Sequence, residues 1–252
     1  MRVAVLSDVH SNLEALEAVL AALGSVDAVW VLGDIVGYGP EPQAVVDRLR
    51  EAGAIGVKGN HDDAAAGGLS LEFFNPDGYR AIEWTRTRID ERTRRYLADL
   101  PESTVPDGSD FTLAHGSPSD PIWEYLDSPA AAGRNLAAFR TRYCLVGHTH
   151  VPRVFREARE RIGAQRGEPP RVEAVRVGRD SRLKLDDRRL IVNPGSVGQP
   201  RDGDPRASYM LIDTAAAVVT WHRIEYDLAA TQKAILAAGL PPDLARRLSF
   251  GK

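Results

Sequence analysis

Apolar residues along this chain come in short runs, and each run leads into a polar turn. Arg2–Leu6 reads as a buried strand, with Val3-Ala4-Val5-Leu6 free of charge. Ser11-Asn12-Leu13-Glu14 then has the form of a capping box, and Leu13, Leu16, Leu20 and Leu23 give the following helix an apolar stripe. Strands over 28–32 and 54–58 bracket a helix over 41–51. This β-α-β-α-β order predicts a largely parallel sheet covered on both faces. Ile82, Ile89, Tyr96, Leu97 and Leu100 keep helical spacing and predict one helix over 79–100, which Pro101 stops. Phe111–Ala114 and 143–146 are two more strands. Beyond Val151 the segments 171–177, 190–192, 208–212 and Val218–Ile224 read as antiparallel β-structure, either a second sheet or a continuation of the first. Residues 153–190 hold 12 basic and 7 acidic residues and read as a solvated hairpin and loop. With no repeat and no linker, 1–252 is expected to be a single domain.

Composition narrows the class. Hydrophobic residues make up 43% of the 252 and charged residues 27%, as in soluble globular proteins. A chain of this length buries on the order of 70–75% of its unfolded surface, so it needs no staple. Cys144 is the only cysteine, which excludes an intrachain disulfide and a thiolate zinc cage. The net charge of -3 lacks the basic excess of a protein that grips nucleic acid by its backbone. The first apolar run ends at Asp8 and His10, too soon for a signal peptide. No stretch reaches the roughly 18 apolar residues of a membrane span. The expectation is a cytoplasmic protein without a membrane partner, and a homo-oligomer is compatible with the sequence.

The chemistry lies in the turns. Five of six histidines, His10, His61, His115, His148 and His150, follow strands directly, together with Asp8, Asp34, Asn60 and Asp62. The carboxyl ends of strands line the ligand crevice of open α/β sheets, so these turns are expected to converge. Residues i and i+2 of an extended segment point the same way, so Asp8-x-His10 and His148-x-His150 can each present two ligands. With Asp34, Asn60 and His115 they make seven nitrogen and oxygen donors. Seven are too many for one zinc ion, and two divalent ions sharing a carboxylate account for the number. Imidazole, carboxylate and amide donors without thiolate suit Mn, Fe, Zn, Co or Ni.

At Asp8-x-His10, Gly33-Asp34, Gly59-Asn60-His61-Asp62, Ala114-His115 and Gly147-His148-Thr149-His150 the chain resembles the calcineurin-like metallophosphoesterases. Gly-Tyr-Gly-Pro at 37–40 and Asn193-Pro194-Gly195-Ser196 resemble their small bacterial and archaeal phosphodiesterase branch. The resemblance covers roughly 1–228. It implies an α/β sandwich of two mixed β-sheets flanked by helices, with the metal site at the strand C-terminal ends. It further implies one metal on Asp8, His10, Asp34 and His150, and the other on Asp34, Asn60, His115 and His148. Asp34 would bridge them, a shared hydroxide would attack phosphorus, and His61 would protonate the leaving group, with Asp62 available to orient it. Two departures stand out. The Asp-Arg pair that follows the bridging aspartate in the family's protein phosphatases is replaced here by Gly37-Tyr38-Gly39, which disfavours a phosphoprotein substrate. Ala114 stands where many relatives have glycine.

The expected activity is phosphodiester hydrolysis on a small phosphate ester or nucleotide. A nucleotide phosphatase or dinucleoside polyphosphate hydrolase is the alternative on the same centre. A non-catalytic metal-binding scaffold is the rival from another class, and the intact ligand positions and His61 argue against it. Tyr38 and Arg201 lie in loops within reach of a substrate, although turn packing for Tyr38 and surface charge for Arg201 account for them more readily. Asn193-Pro-Gly-Ser reads as a tight turn or as a border of the site. Cys144 and Trp30 and Trp84 read as packing residues, and His222 as structural. The pocket walls are expected to come from 64–75 and 117–128.

Overall fold

The computed structural model describes residues 1–159 and 170–252, so the middle of the arginine-rich stretch lies outside the described residues. The first half runs β1 (Arg2–Leu6), α1 (Leu13–Ala22), β2 (Ala28–Val31), α2 (Pro42–Glu51), β3 (Ile55–Gly56) and α3 (Asn60–Ala66). It continues through α4 (Pro76–Arg86), α5 (Glu91–Asp99), β4 (Ser103–Thr104), β5 (Phe111–Ala114), α6 (Pro129–Asn135) and β6 (Tyr143–Leu145). The second half holds β7 (Arg153–Glu157), β8 (Val172–Val175), β9 (Arg182–Lys184) and β10 (Leu190–Asn193). It closes with β11 (Ala207–Asp213), β12 (Val218–Ile224), α7 (Leu228–Ala237) and α8 (Pro242–Leu248).

The strands form two six-stranded mixed sheets, ordered β3-β2-β1-β11-β12-β9 and β4-β5-β6-β10-β7-β8. Val3 and Val5 of β1 pack between the sheets with Trp30, Leu113, Leu145, Val192 and Trp221. Their neighbours Ala4 and Leu6 point the other way, under the helices, against Leu16, Val19, Val45 and Leu49. A strand buried on both faces must be apolar at every position, which is why β1 reads as an unbroken run rather than an alternation. Across the second sheet Cys144, Phe155 and Ile191 pack on Ala131, Ala132 and Leu136 around α6. The result is helices, sheet, sheet and helices in layers.

Several expectations are corrected. The parallel order holds only for β3, β2 and β1, because β11 adds to β1 antiparallel and brings β12 and β9 with it. β10 pairs parallel with β6 and antiparallel only with β7. The helix expected over 79–100 is two helices, since the Asp90 carboxylate accepts the Thr93 N–H at 2.7 Å and starts α5 afresh. Both helices bury Ile82, Ile89, Leu97 and Leu100 in one cluster, so the apolar stripe runs through a break it cannot reveal. The cap of α1 is Asn12, whose Oδ1 accepts the Ala15 N–H, and not Ser11. Strand β4 and helices α3, α6, α7 and α8 had no expectation, and β7 and β9 fall within the stretch expected as a solvated hairpin and loop. Cys144 and Trp30 are buried in the core, and the His222 ring stacks on Tyr209.

Candidate metal centre

Parallel pairing of β1 with β2, and of β5 with β6, brings their carboxyl ends to one edge of the sandwich. The turns there carry Asp8, His10, Asp34, His115, His148 and His150, while Asn60 and His61 open α3 after β3. All eight side chains are buried. The expected extended geometry is not what aims them. Asp8, His10, Asp34, His148 and His150 have φ between 48° and 64°, the left-handed region that non-glycine residues avoid. Tight turns, not pleated strands, set the i, i+2 pairs. Likewise Asn60 and His61 diverge because they are adjacent on the first turn of a helix.

Hydrogen bonds hold these turns. Asp8 N–H donates to Gly33 O at 3.1 Å and His10 N–H to Asp34 O at 3.0 Å. From the other side, Ser196 Oγ donates to Asp8 O at 2.8 Å and Asn193 Nδ2 to Gly147 O at 2.7 Å. The Asn193-Pro-Gly-Ser turn therefore braces the Asp8 and His148 loops together. Close approach demands two glycines: a Cβ on Gly59 would overlap Asp34 Oδ1, and one on Gly147 would overlap Ser7 Oγ.

The side chains form two groups that share one carboxylate, Asp8, His10, Asp34 and His150 on one side and Asp34, His115 and His148 on the other. Asp34 Oδ2 lies 3.5 Å from His10 Nε2 and 3.4 Å from His115 Nε2. Asn60 Oδ1 joins the second group, 3.2 Å from His115 Nε2. Backbone carbonyls set the tautomers. His10 Nδ1 donates to Val36 O at 3.1 Å, and His150 Nδ1 to Gln199 O at 2.6 Å. The two Nε2 atoms are thereby left as lone pairs facing each other at 3.1 Å. Two acceptors at that separation repel unless a cation lies against both, so the donor set fits metal ions.

Electrostatics agree. Burial pushes the His10 and His150 imidazoles down, so both stay neutral and able to coordinate. Burial opposes charge on His115 too, but the Asp34 carboxylate outweighs it and lifts that imidazole to about 9. Its Nε2 proton then sits among Asp34, Asn60 and His148 Nδ1, three acceptors that a cation would serve instead. Burial raises Asp34, and the charged His115 imidazole beside it outweighs this and holds its carboxyl below the usual range.

His61 belongs to neither group. Its ring stands edge-on to His10 at 4.9 Å and contacts Tyr38 at 4.4 Å, and its buried Nδ1 has no partner. Burial pushes it down to about 4, against the pull of Asp34. Asp62 does not orient it, contrary to expectation: its carboxylate accepts the Val36 and Gly59 N–H groups, each at 3.0 Å. The cleft over the centre is lined by Tyr38, His61 and Arg201, so both loop residues singled out in the sequence face it. Arg201 Nε is buried without a partner there. Phe73 and Phe74 from 64–75, and Trp123 and Tyr125 from 117–128, form the outer wall. Bracing by Gln199 had no sequence signal, because its carbonyl reaches His150 from 49 residues away. Ser196 lies in the turn that the sequence offered as a border of the site, and its hydroxyl reaches Asp8 from 188 residues away.

Comparison with known proteins gives a consistent picture. The model of the calcineurin-like phosphoesterase superfamily domain matches residues 1–217. The chain is 36% identical to the uncharacterized protein MJ0912 of Methanocaldococcus jannaschii, over 99% of this chain and 98% of that one. It is 26% identical to the phosphodiesterase YfcE of Escherichia coli K12, over 84% and 88%. A crystal structure of a metallophosphoesterase from Sphaerobacter thermophilus superposes with a TM-score of 0.87 at 45% identity, covering 100% of this chain and 99% of that one. The chain thus belongs to the calcineurin-like phosphoesterase superfamily and is a hydrolase acting on phosphate esters.

Proposed function

We propose that the protein hydrolyses phosphodiester bonds at a centre of two divalent transition-metal ions. Asp8, His10, Asp34 and His150 would hold one ion, and Asp34, Asn60, His115 and His148 the other. The observation that carries this reading is the single oxygen Asp34 Oδ2, placed at near-equal distance from an imidazole of each group. When bound, such ions supply the Lewis-acid charge that activates water and neutralises the phosphate oxygens. The donor set suits Mn, Fe, Zn, Co or Ni.

The rest falls to the chain. Arg201, which lines the cleft with its guanidinium 5.9 Å from the Tyr38 ring centroid and its Nη2 donating to Gln199 Oε1 at 3.0 Å, holds the phosphate in place. His61 delivers the proton to the leaving oxygen, and an anionic phosphate beside it favours the protonated ring that burial opposes. Gly37-Tyr38-Gly39 puts an aromatic ring where a dianion clamp would stand, so the single charge of a diester is the better match. The test is the metal content of the reconstituted protein together with kcat/KM for bis-p-nitrophenyl and p-nitrophenyl phosphate. Two ions per chain and a diester at least as good as the monoester are expected. A strong monoester preference would favour the nucleotide phosphatase, and inertness with every metal the scaffold.

A further inference from the structure

The outer wall of the cleft is aromatic and open. Phe73 is 66% exposed and Tyr125 51% exposed, at the mouth of an otherwise buried centre. Phe73, Trp123 and Phe74 form a connected series, and Tyr125 joins the wall through His148. Phe73 meets Trp123 at 6.1 Å and Phe74 meets Trp123 at 5.2 Å, both edge to face. Tyr125 stacks on the His148 ring at 3.9 Å, and Phe74 stands 5.1 Å from His61. The shelf therefore joins the metal centre directly. Exposed aromatic groups of this kind, clustered at the mouth of a buried centre, mark a binding surface.

We infer that Phe73, Phe74, Trp123 and Tyr125 form a stacking shelf for a nucleobase, so that the substrate is a nucleoside-bearing phosphoester. This rests on the phosphoesterase reading above and names its substrate class. Two observations select a flat aromatic occupant over an acyl chain. No aliphatic side chain is among the described residues lining the cleft, whereas a lipid tail would need an aliphatic channel. Arg201 lines the same cleft with its guanidinium anchored by Gln199 Oε1 at 3.0 Å, and a fixed cation there suits the phosphate attached to such a group. Stacking on aromatic side chains is tolerant of base identity, so the shelf favours nucleosides as a class.

Two measurements on the metal-loaded protein test the shelf. The first compares thymidine 5′-(p-nitrophenyl phosphate) with methyl p-nitrophenyl phosphate, which share a leaving group and differ in the nucleoside. The second measures binding of thymidine 5′-monophosphate and of methyl phosphate by calorimetry, with no turnover required. The nucleoside compounds are expected to show the lower KM and Kd. Trp123→Ala and Phe73→Ala should each weaken that preference by about 5- to 150-fold, the range of one stacked base. Trp123→Phe should restore most of it, and Tyr79→Ala, an exposed ring outside the cleft, should not affect it. Equal constants for the nucleoside and methyl compounds, or equal losses for both in the variants, would overturn the shelf while leaving the hydrolase reading intact. Absence of turnover with Trp123-dependent nucleotide binding would overturn the hydrolase reading and keep the shelf.

Discussion

Backbone conformation marks the site at the level of single residues. Of the nine described non-glycine residues with positive φ, seven surround the metal cluster: Asp8, His10, Ser11, Asp34, Tyr38, His148 and His150. Each costs of order 1–3 kcal/mol and persists only because braces such as Ser196 and Asn193 hold it. The seven candidate donors were legible in the sequence as residue types after strands, but the left-handed φ of five of them was not, because φ depends on those distant braces. His61 is the residue whose role separates most cleanly. It sits outside both donor groups, so His61→Ala is expected to keep its metal content and lose about 10²–10⁴-fold in turnover. The loss should be larger for alkyl or ribosyl leaving groups than for p-nitrophenolate, which leaves without help. Elemental analysis and paired kinetics check this. Loss of metal, or equal losses for both leaving groups, would return His61 to the ligand set.

Among the elements, buried strands were the most legible and helix ends the least. β1 shows as an unbroken apolar run after Arg2 because both of its faces are covered. The break between α4 and α5 stayed hidden because Asp90 competes for backbone N–H groups locally while the apolar stripe continues. Asp90→Ala removes the side chain that accepts the Thr93 N–H, and N-cap losses of this kind cost about 1 kcal/mol. Urea unfolding should show a midpoint lowered accordingly, with kcat unchanged, since Asp90 is exposed and is not among the residues lining the cleft. An unchanged midpoint would mean that packing alone starts α5.

Across the whole molecule, the last two helices tie the chain's end to the site. Ile235, Leu244 and Leu248 of α7 and α8 pack with Tyr38 and Ala81, and Arg247 lies 5.5 Å from the Tyr38 ring centroid. Asn12 links three parts at once: it caps α1, donates to Gly198 O at 2.9 Å and meets Thr231 Oγ1 of α7 at 3.1 Å. Residues past 217, where the family match ends, thus share one core with the turns of the site. The chain is expected to unfold in urea as a single domain, with tryptophan fluorescence and far-UV circular dichroism coincident. An earlier, separate transition of α7 and α8 would show that they form an independent unit.

The sequence by itself determined the candidate donor chemistry and the β-α-β order of the first strands, whose parallel pairing brings part of it together. Histidines, carboxylates and an amide placed after apolar runs are local features, and parallel pairing of β1 with β2 carries their ends to one edge. Tertiary structure alone decided how those donors aim and what stands over them. Gln199 O and Val36 O choose which nitrogen His150 and His10 turn inward, and Asp62 braces backbone instead of His61. Phe73 and Trp123, 50 residues apart, become one wall only when their loops meet. Each of these is a contact between segments distant in the chain, and hydrophobic periodicity records which face of an element is buried, not which element buries it.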